Sequence, residues 1–131
     1  MVFQQFFLDG LGCASYLVGD ETAGVAAVID PQRDVREYLA AAEAHGLHIA
    51  HIIETHLHAD HVSGATELAA RTGASIHIHP AAQAAFPHQP FADGDTLPIG
   101  SVTLTARHTP GHTPESITLL ISDTTRSEEN W

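Results

Sequence analysis

The sequence predicts an α/β (α+β) fold, with residues 1–131 forming one domain. Short runs rich in β-branched and aromatic residues are separated by Gly and Asp turn signals. Two intervening segments switch to helical period, and each is followed by a return to strand, which is a βαβα alternation. A hydrophobic content of 44% in 131 residues is enough to build a core.

Segments 2–8, 14–19 and 24–30 read as strands of an antiparallel meander, punctuated by turns such as "GDETAG". In "DPQRDVREYLAAAEAHG" the residues Val35, Tyr38, Leu39 and Ala42 recur at helical spacing, with Pro31 near the start and Gly46 as the stop. Residues 48–55 return to strand. Residues 62–72 read as a second helix with Val62, Ala65, Leu68 and Ala69 inward and Gly73 at its end, and 75–79 is a further strand. After the Pro- and Gly-punctuated stretch 80–94, "DTLPIGSVTLTARH" gives two strands about Gly100. "TPGHTPE" is a loop, "SITLLIS" (116–122) a strand, and "SDTTRSEENW" polar turn material that contains Asp123.

Five Lys and Arg stand against 16 Asp and Glu, a formal charge of −11, which repels phosphate backbones and anionic lipid surfaces. Nucleic acid and membrane are therefore not expected partners. No apolar run approaches the ~18 residues of a transmembrane helix, and "MVFQQFFLDG" lacks the basic start and long apolar core of a signal peptide. The expected setting is the cytoplasm. Cys13, the only cysteine, has small or apolar neighbours and is expected to be a buried structural thiol.

The chemistry concentrates in "IIETHLHADHVSG", which places His56, His58, Asp60 and His61 where a strand passes into a helix, the end at which open α/β sheets build their sites. Positions two apart in extended chain point the same way, so His56 and His58 can approach one ion, and Asp60 and His61 can swing to a neighbouring point as the chain turns. His112, in "TPGHTPES" after another strand, can complete the set. Neutral imidazole and carboxylate suit Zn²⁺ and Fe²⁺. In a chain with 11 histidines an isolated H-x-H would be unremarkable. H-x-H-x-D-H at a strand-to-helix junction with a downstream G-H-T loop is far more specific. His45, His48, His51 and His88 read as solvated or capping residues, while His77, His79 and His108 lie closer to the motifs as second-tier candidates for the pocket wall. No residue is assigned a direct catalytic role.

"THLHADH" followed by "TPGHT" resembles the signature of the metallo-β-lactamase superfamily, and the resemblance extends over essentially the whole chain. It implies an αββα sandwich with a metal site at one edge of two packed sheets, of which this chain matches the N-terminal part. "IDPQRDV", "THLHADHVSG" and "TPGHTPESI" are together most similar to the persulfide dioxygenases, in particular forms fused to a rhodanese domain; glyoxalase II shares the histidine motif. The resemblance to the dioxygenases implies one Fe²⁺ held by His56, His112 and a later aspartate, and oxidation of a glutathione-type persulfide by O₂ to sulfite. The resemblance to glyoxalase II implies thioester hydrolysis at a dinuclear Zn²⁺-type site, with His56, His58 and His112 on one metal and Asp60 and His61 on the other.

The sequence departs from that pattern at its end. The family's carboxylate ligand lies in a segment resembling F-T-G-D beyond the strand at 116–122, and nothing here matches it, Asp123 being too early. The chain thus resembles a truncated member, and an inert fragment is the non-enzyme alternative. Strand 116–122, with Ile117, Leu119, Leu120 and Ile121, is expected to have an uncovered edge through which the chain self-associates.

Overall fold

The structure, a computed structural model, describes residues 1–8, 12–60 and 62–126. β1 (Val2–Leu8), β2 (Cys13–Asp20) and β3 (Val25–Ile29) form the expected antiparallel meander. β4 (His48–Glu54), β5 (Ser75–Ile78) and the short β6 (Gln89–Pro90) then add in parallel, giving one sheet in the order β1-β2-β3-β4-β5-β6. The crossovers carry α1 (Arg36–Ala44) and α2 (Ala65–Thr72). β7 (Thr96–Ile99), β8 (Val102–His108) and β9 (Ile117–Asp123) make a second, antiparallel sheet.

Two cores divide the first sheet by face. Leu17, Val28, Ile49, Ile52 and Ile76 pack against Tyr38, Ala42, Ala65 and Leu68 of the helices. Val18, Ala27, Ile29 and Ile53 turn the other way and meet Ile99, Val102, Leu104, Ala106 and Ile117 of the second sheet. A strand buried on both faces has no polar side to show, so β3 and the end of β4 read as unbroken apolar runs. Helices, first sheet and second sheet are the stacked layers among the described residues. Among the described residues no helix is long and apolar enough to cross a membrane.

Helix starts differ from the sequence reading. α2 begins at Ala65 rather than at 62, and Val62, expected inward, is 64% exposed. The amide of Gly64 donates to the Pro31 carbonyl at 2.9 Å, so residues 62–64 dock against a distant turn instead of forming helix. α1 likewise begins only at Arg36: the amide of Gln32 bonds the buried Tyr38 hydroxyl at 2.8 Å, holding the stretch after Pro31 out of the helix.

Two further expectations, those for Asp123 and His51, are corrected. Asp123 is not turn material but the 1%-exposed last residue of β9, 3.5 Å from the terminal amine of Met1 and accepting the Thr125 hydroxyl at 2.6 Å. On the same strand Ile117 is 5% exposed, and Leu119 and Ile121 pack partly against the inter-sheet core, although the outer edge of β9 has no strand partner among the described residues. His51 is not a solvated residue: its Nδ1 lies 3.2 Å from Nε2 of His77, which is only 8% exposed, between the two sheets.

At the sheet end remote from the histidine motif, Asp20 joins the layers by accepting the amide and hydroxyl of Ser101 at 2.7 and 2.8 Å. Those bonds, the Ser101 amide foremost, lower its pKa from 3.8 to about 2. Burial, and then the neighbouring His51, lower His77 from 6.5 to about 4. Both groups bind protons more readily when unfolded, so each contributes stability above its unfolded value that is lost as pH falls toward its folded value. The melting temperature is therefore expected to fall in acid over two windows, from 6.5 to about 4 and from 3.8 to about 2. In thermal melts against pH, His77→Leu should make the loss over the first window smaller and Asp20→Asn the loss over the second; a variant whose loss in its window equals that of the wild type would refute that assignment.

Candidate metal centre

Parallel pairing puts the carboxyl ends of β3 and β4 side by side, and the residues that follow them build the site. Asp30 follows β3 with φ at 49°, a left-handed conformation that aspartate tolerates better than most residues. Its amide donates to Ile53 O at 2.8 Å. Its carboxylate accepts the Thr55 amide through Oδ1 and the Thr55 hydroxyl through Oδ2, both at 2.7 Å. Thr55 Oγ1 also lies 2.9 Å from His56 Nδ1. The hydroxyl has one proton and gives it to Asp30, so His56 Nδ1 must donate, and the lone pair of that imidazole resides on Nε2.

His58 is held from beneath. Its Nε2 is 3.3 Å from Asp30 Oδ1 and 3.3 Å from Glu54 Oε2. Glu54, 2% exposed at the end of β4, also accepts the Ser63 hydroxyl, which ties the two ends of the motif together. Burial lowers the basicity of His58, but Asp30 and Glu54 outweigh it and raise the pKa from 6.5 to about 10. His56 is shifted the other way, chiefly by burial and next by the His58 charge, which keeps it neutral. Burial raises the pKa of Glu54.

His112 arrives from the second sheet. Its ring centroid is 4.9 Å from that of His56, edge to face, and the His56 and His58 centroids are 4.2 Å apart. Asp30, His56 and His58 each offer a ligand atom within 4.8 Å of the others. Both oxygens of Asp30 are already accepting hydrogen bonds, so it serves best as the anchor behind the imidazoles, the arrangement by which outer groups orient metal-binding histidines. The imidazoles of His56 and His112, joined by His58 once an incoming cation displaces its proton, are a donor set suited to a divalent transition metal.

The structure thus brings His56, His58 and His112 together. Asp60 is exposed at the rim, where its Oδ2 lies 3.5 Å from the Cys13 thiol, and His61 lies outside the described residues. Cys13 is therefore a half-buried neighbour of the motif rather than a core thiol, its pKa raised by partial burial and then by Asp60. His79 and His108 stack at 4.1 Å, and His108 Nε2 is 2.8 Å from Pro114 O, which braces the loop bearing His112. Sequence reasoning passed over Asp30, Glu54, Thr55 and Glu115. Of these only Asp30 carried a signal, as an aspartate between an apolar run and a proline.

With this geometry the chain matches the family model described as the metallo-beta-lactamase superfamily over residues 8–125, and it belongs to that superfamily. It is 31% identical to the mitochondrial persulfide dioxygenase of Bos taurus over 94% of this chain and 49% of the relative. It is 39% identical to a hydroxyacylglutathione hydrolase of Rhodospirillum rubrum over 75% of this chain and 39% of that protein. A metallo-beta-lactamase from Staphylococcus aureus superposes with a TM-score of 0.88 at 37% identity, covering 95% of this chain and 39% of the other. ETHE1 from Myxococcus xanthus superposes with a TM-score of 0.85 at 31% identity, covering 92% and 54%. The chain spans about half or less of the length of the curated relatives it matches, in their N-terminal, αββα-type architecture.

The docking of the motif against the Asp30 turn depends on Gly64. A Cβ there would lie 2.1 Å from Gln32 O and 2.8 Å from Val35 Cγ1, and backbone cannot give way as a side-chain tip can. Gly64→Ala is expected to destabilise the fold by about 1–3 kcal/mol, the usual cost of overpacking. Denaturant unfolding should show a lowered midpoint; an unchanged midpoint would mean that the 62–64 segment is not held as described.

Proposed function

We propose that the protein is a non-haem iron persulfide dioxygenase acting on a glutathione-type persulfide. The observation that carries the reading is the convergence of His56, His58 and His112 at the carboxyl edge of the sheets, with His56 fixed by Thr55 and Asp30 to present Nε2. Likeness to the dioxygenase of Bos taurus extends over 94% of the chain, against 75% for the hydroxyacylglutathione hydrolase of Rhodospirillum rubrum. The overall reaction converts persulfide, O₂ and water to thiol, sulfite and two protons; the terminal sulfur loses four electrons and O₂ gains them.

His56 and His112 would hold the iron. When bound, Fe²⁺ supplies a centre with open positions at which sulfur and O₂ can both engage. Thr55 and Asp30 keep the proton of His56 on Nδ1, away from the metal side. Asp30 and Glu54 seat His58 against the floor of the site, and the exposed His112 borders the solvent side from which a small thiol enters.

Hydrolysis of a glutathione thioester at two Zn²⁺-type metals is the second reading, favoured by the 39% identity to the hydroxyacylglutathione hydrolase. Asp60 and His61 would then hold the second metal. Metal analysis and an oxygen electrode separate the two. In a longer version that contains the downstream aspartate, the dioxygenase reading predicts about one iron per chain and persulfide-dependent O₂ uptake, both lost in His56→Ala and His112→Ala, with iron partly retained in Asp60→Ala. Two zinc-type metals per chain, lost equally in all these variants, would establish the hydrolase instead.

We also propose that the 131-residue chain self-associates through β9. Its outer edge, which has no strand partner among the described residues, adjoins an apolar groove lined by Phe3, Tyr16, Ile117, Leu119 and Ile121. A free β-edge is a template for another chain, and salt screens the repulsion between molecules of charge −11. Sedimentation velocity should show an oligomer that grows with salt, whereas a monomer at high protein and salt concentration would rule out association by this edge.

A further inference from the structure

We propose that Glu115 is a positioning residue that locks the His112 loop to the His56–His58 segment and thereby sets the affinity of the metal centre. The inference rests on the reading of those histidines as metal ligands. They come from different sheets, His56 and His58 beyond β4 and His112 ahead of β9, so the spacing of their rings depends on how the two layers are joined at this edge.

Glu115 makes that join. It is 6% exposed, and its Oε1 accepts the amide of Leu57, the residue between His56 and His58, at 2.9 Å. The Leu57 side chain is 39% exposed and Ala59 and Asp60 are exposed too, so side-chain packing does little to hold this segment. A second bond, from the Ile117 amide to Thr55 O at 3.0 Å, secures the stem of the same junction.

The loop that carries Glu115 is itself stiff. Thr113 Oγ1 and Ser116 Oγ are 2.7 Å apart, the Thr109 amide donates to Ser116 O at 2.9 Å, and His108 lies 2.8 Å from the Pro114 carbonyl. A stiff loop bearing His112, pinned through one buried carboxylate to the backbone between the other two imidazoles, fixes all three rings relative to one another. The carboxylate is kept ionised there: burial opposes this, but hydrogen bonds from the Leu57 amide, its own amide and Thr113 more than offset it.

The test compares wild type with Glu115→Ala and Glu115→Gln, using Zn²⁺ affinity by competition with a chromophoric chelator, the Co²⁺ absorption spectrum, apo-protein melts and hydrogen exchange at the Leu57 amide. Glu115→Ala is expected to bind Zn²⁺ ~10–100-fold more weakly, the usual effect of losing an outer hydrogen-bond partner, and to lose protection at Leu57. Glu115→Gln retains an acceptor oxygen and should restore most of the affinity, the Co²⁺ spectrum and the Leu57 protection. Equal affinity in wild type and Glu115→Ala, or a glutamine variant as weak as the alanine one, would overturn the proposal. Should Glu115→Ala not fold, Glu115→Asp, whose carboxylate is withdrawn by one carbon, takes its place with the same expected losses. Absence of Zn²⁺ binding in wild type would refute the metal reading itself; exchange at Leu57 would still decide whether the lock exists.

Discussion

The hydrogen bonds that Asp30 accepts from the amide and hydroxyl of Thr55, both at 2.7 Å, tie the end of β3 to the end of β4, and the candidate site is assembled on that tie. Hydrogen bonds to a charged acceptor contribute about 1.5–3 kcal/mol each. Together they offset the ~1–3 kcal/mol typical of a residue held at positive φ. The same carboxylate lies 3.3 Å from His58 and, through the Thr55 hydroxyl, fixes which nitrogen of His56 carries the proton. One side chain thus converts strand pairing into the orientation of two imidazoles.

The inter-sheet core supplies what Asp30 cannot. His112 belongs to a loop of the second sheet, and its place beside His56 follows from the packing of Ile29 and Ile53 against Leu104 and Ile117. Polar contacts close both ends of this interface: Asp20 with Ser101 at one, Glu115 with the Leu57 amide at the other. Apolar contact is tolerant of sliding because it lacks direction, whereas hydrogen bonds specify position. Layer separation is therefore set by the core and registration by the carboxylates.

Much of this was legible in the sequence, for reasons that particular residues make plain. Strand β3 and the end of β4 are covered on both faces and so betray themselves as apolar runs, and Gly46 and Gly73 mark the helix ends because both take positive φ. The histidines were legible because H-x-H-x-D-H and G-H-T are local patterns. The start of α2 was not, because it is decided by Gly64 docking on Pro31, more than 30 residues away in the chain. Asp123 read as turn material since nothing local reveals that the terminal amine lies beside it. Glu115 and Thr55 were missed for the same reason: their partners, the Leu57 amide and Asp30, are reached only through the fold.

The central claim is that imidazoles from the two sheets converge on one metal ion. X-ray absorption spectroscopy of the iron- or zinc-loaded protein tests it most directly. The account predicts nitrogen ligands at ~2.0–2.2 Å with the outer-shell scattering of at least two imidazole rings, reduced by about one ring in His112→Ala. A shell of oxygens without imidazole scattering, or a spectrum unchanged in His112→Ala, would contradict it.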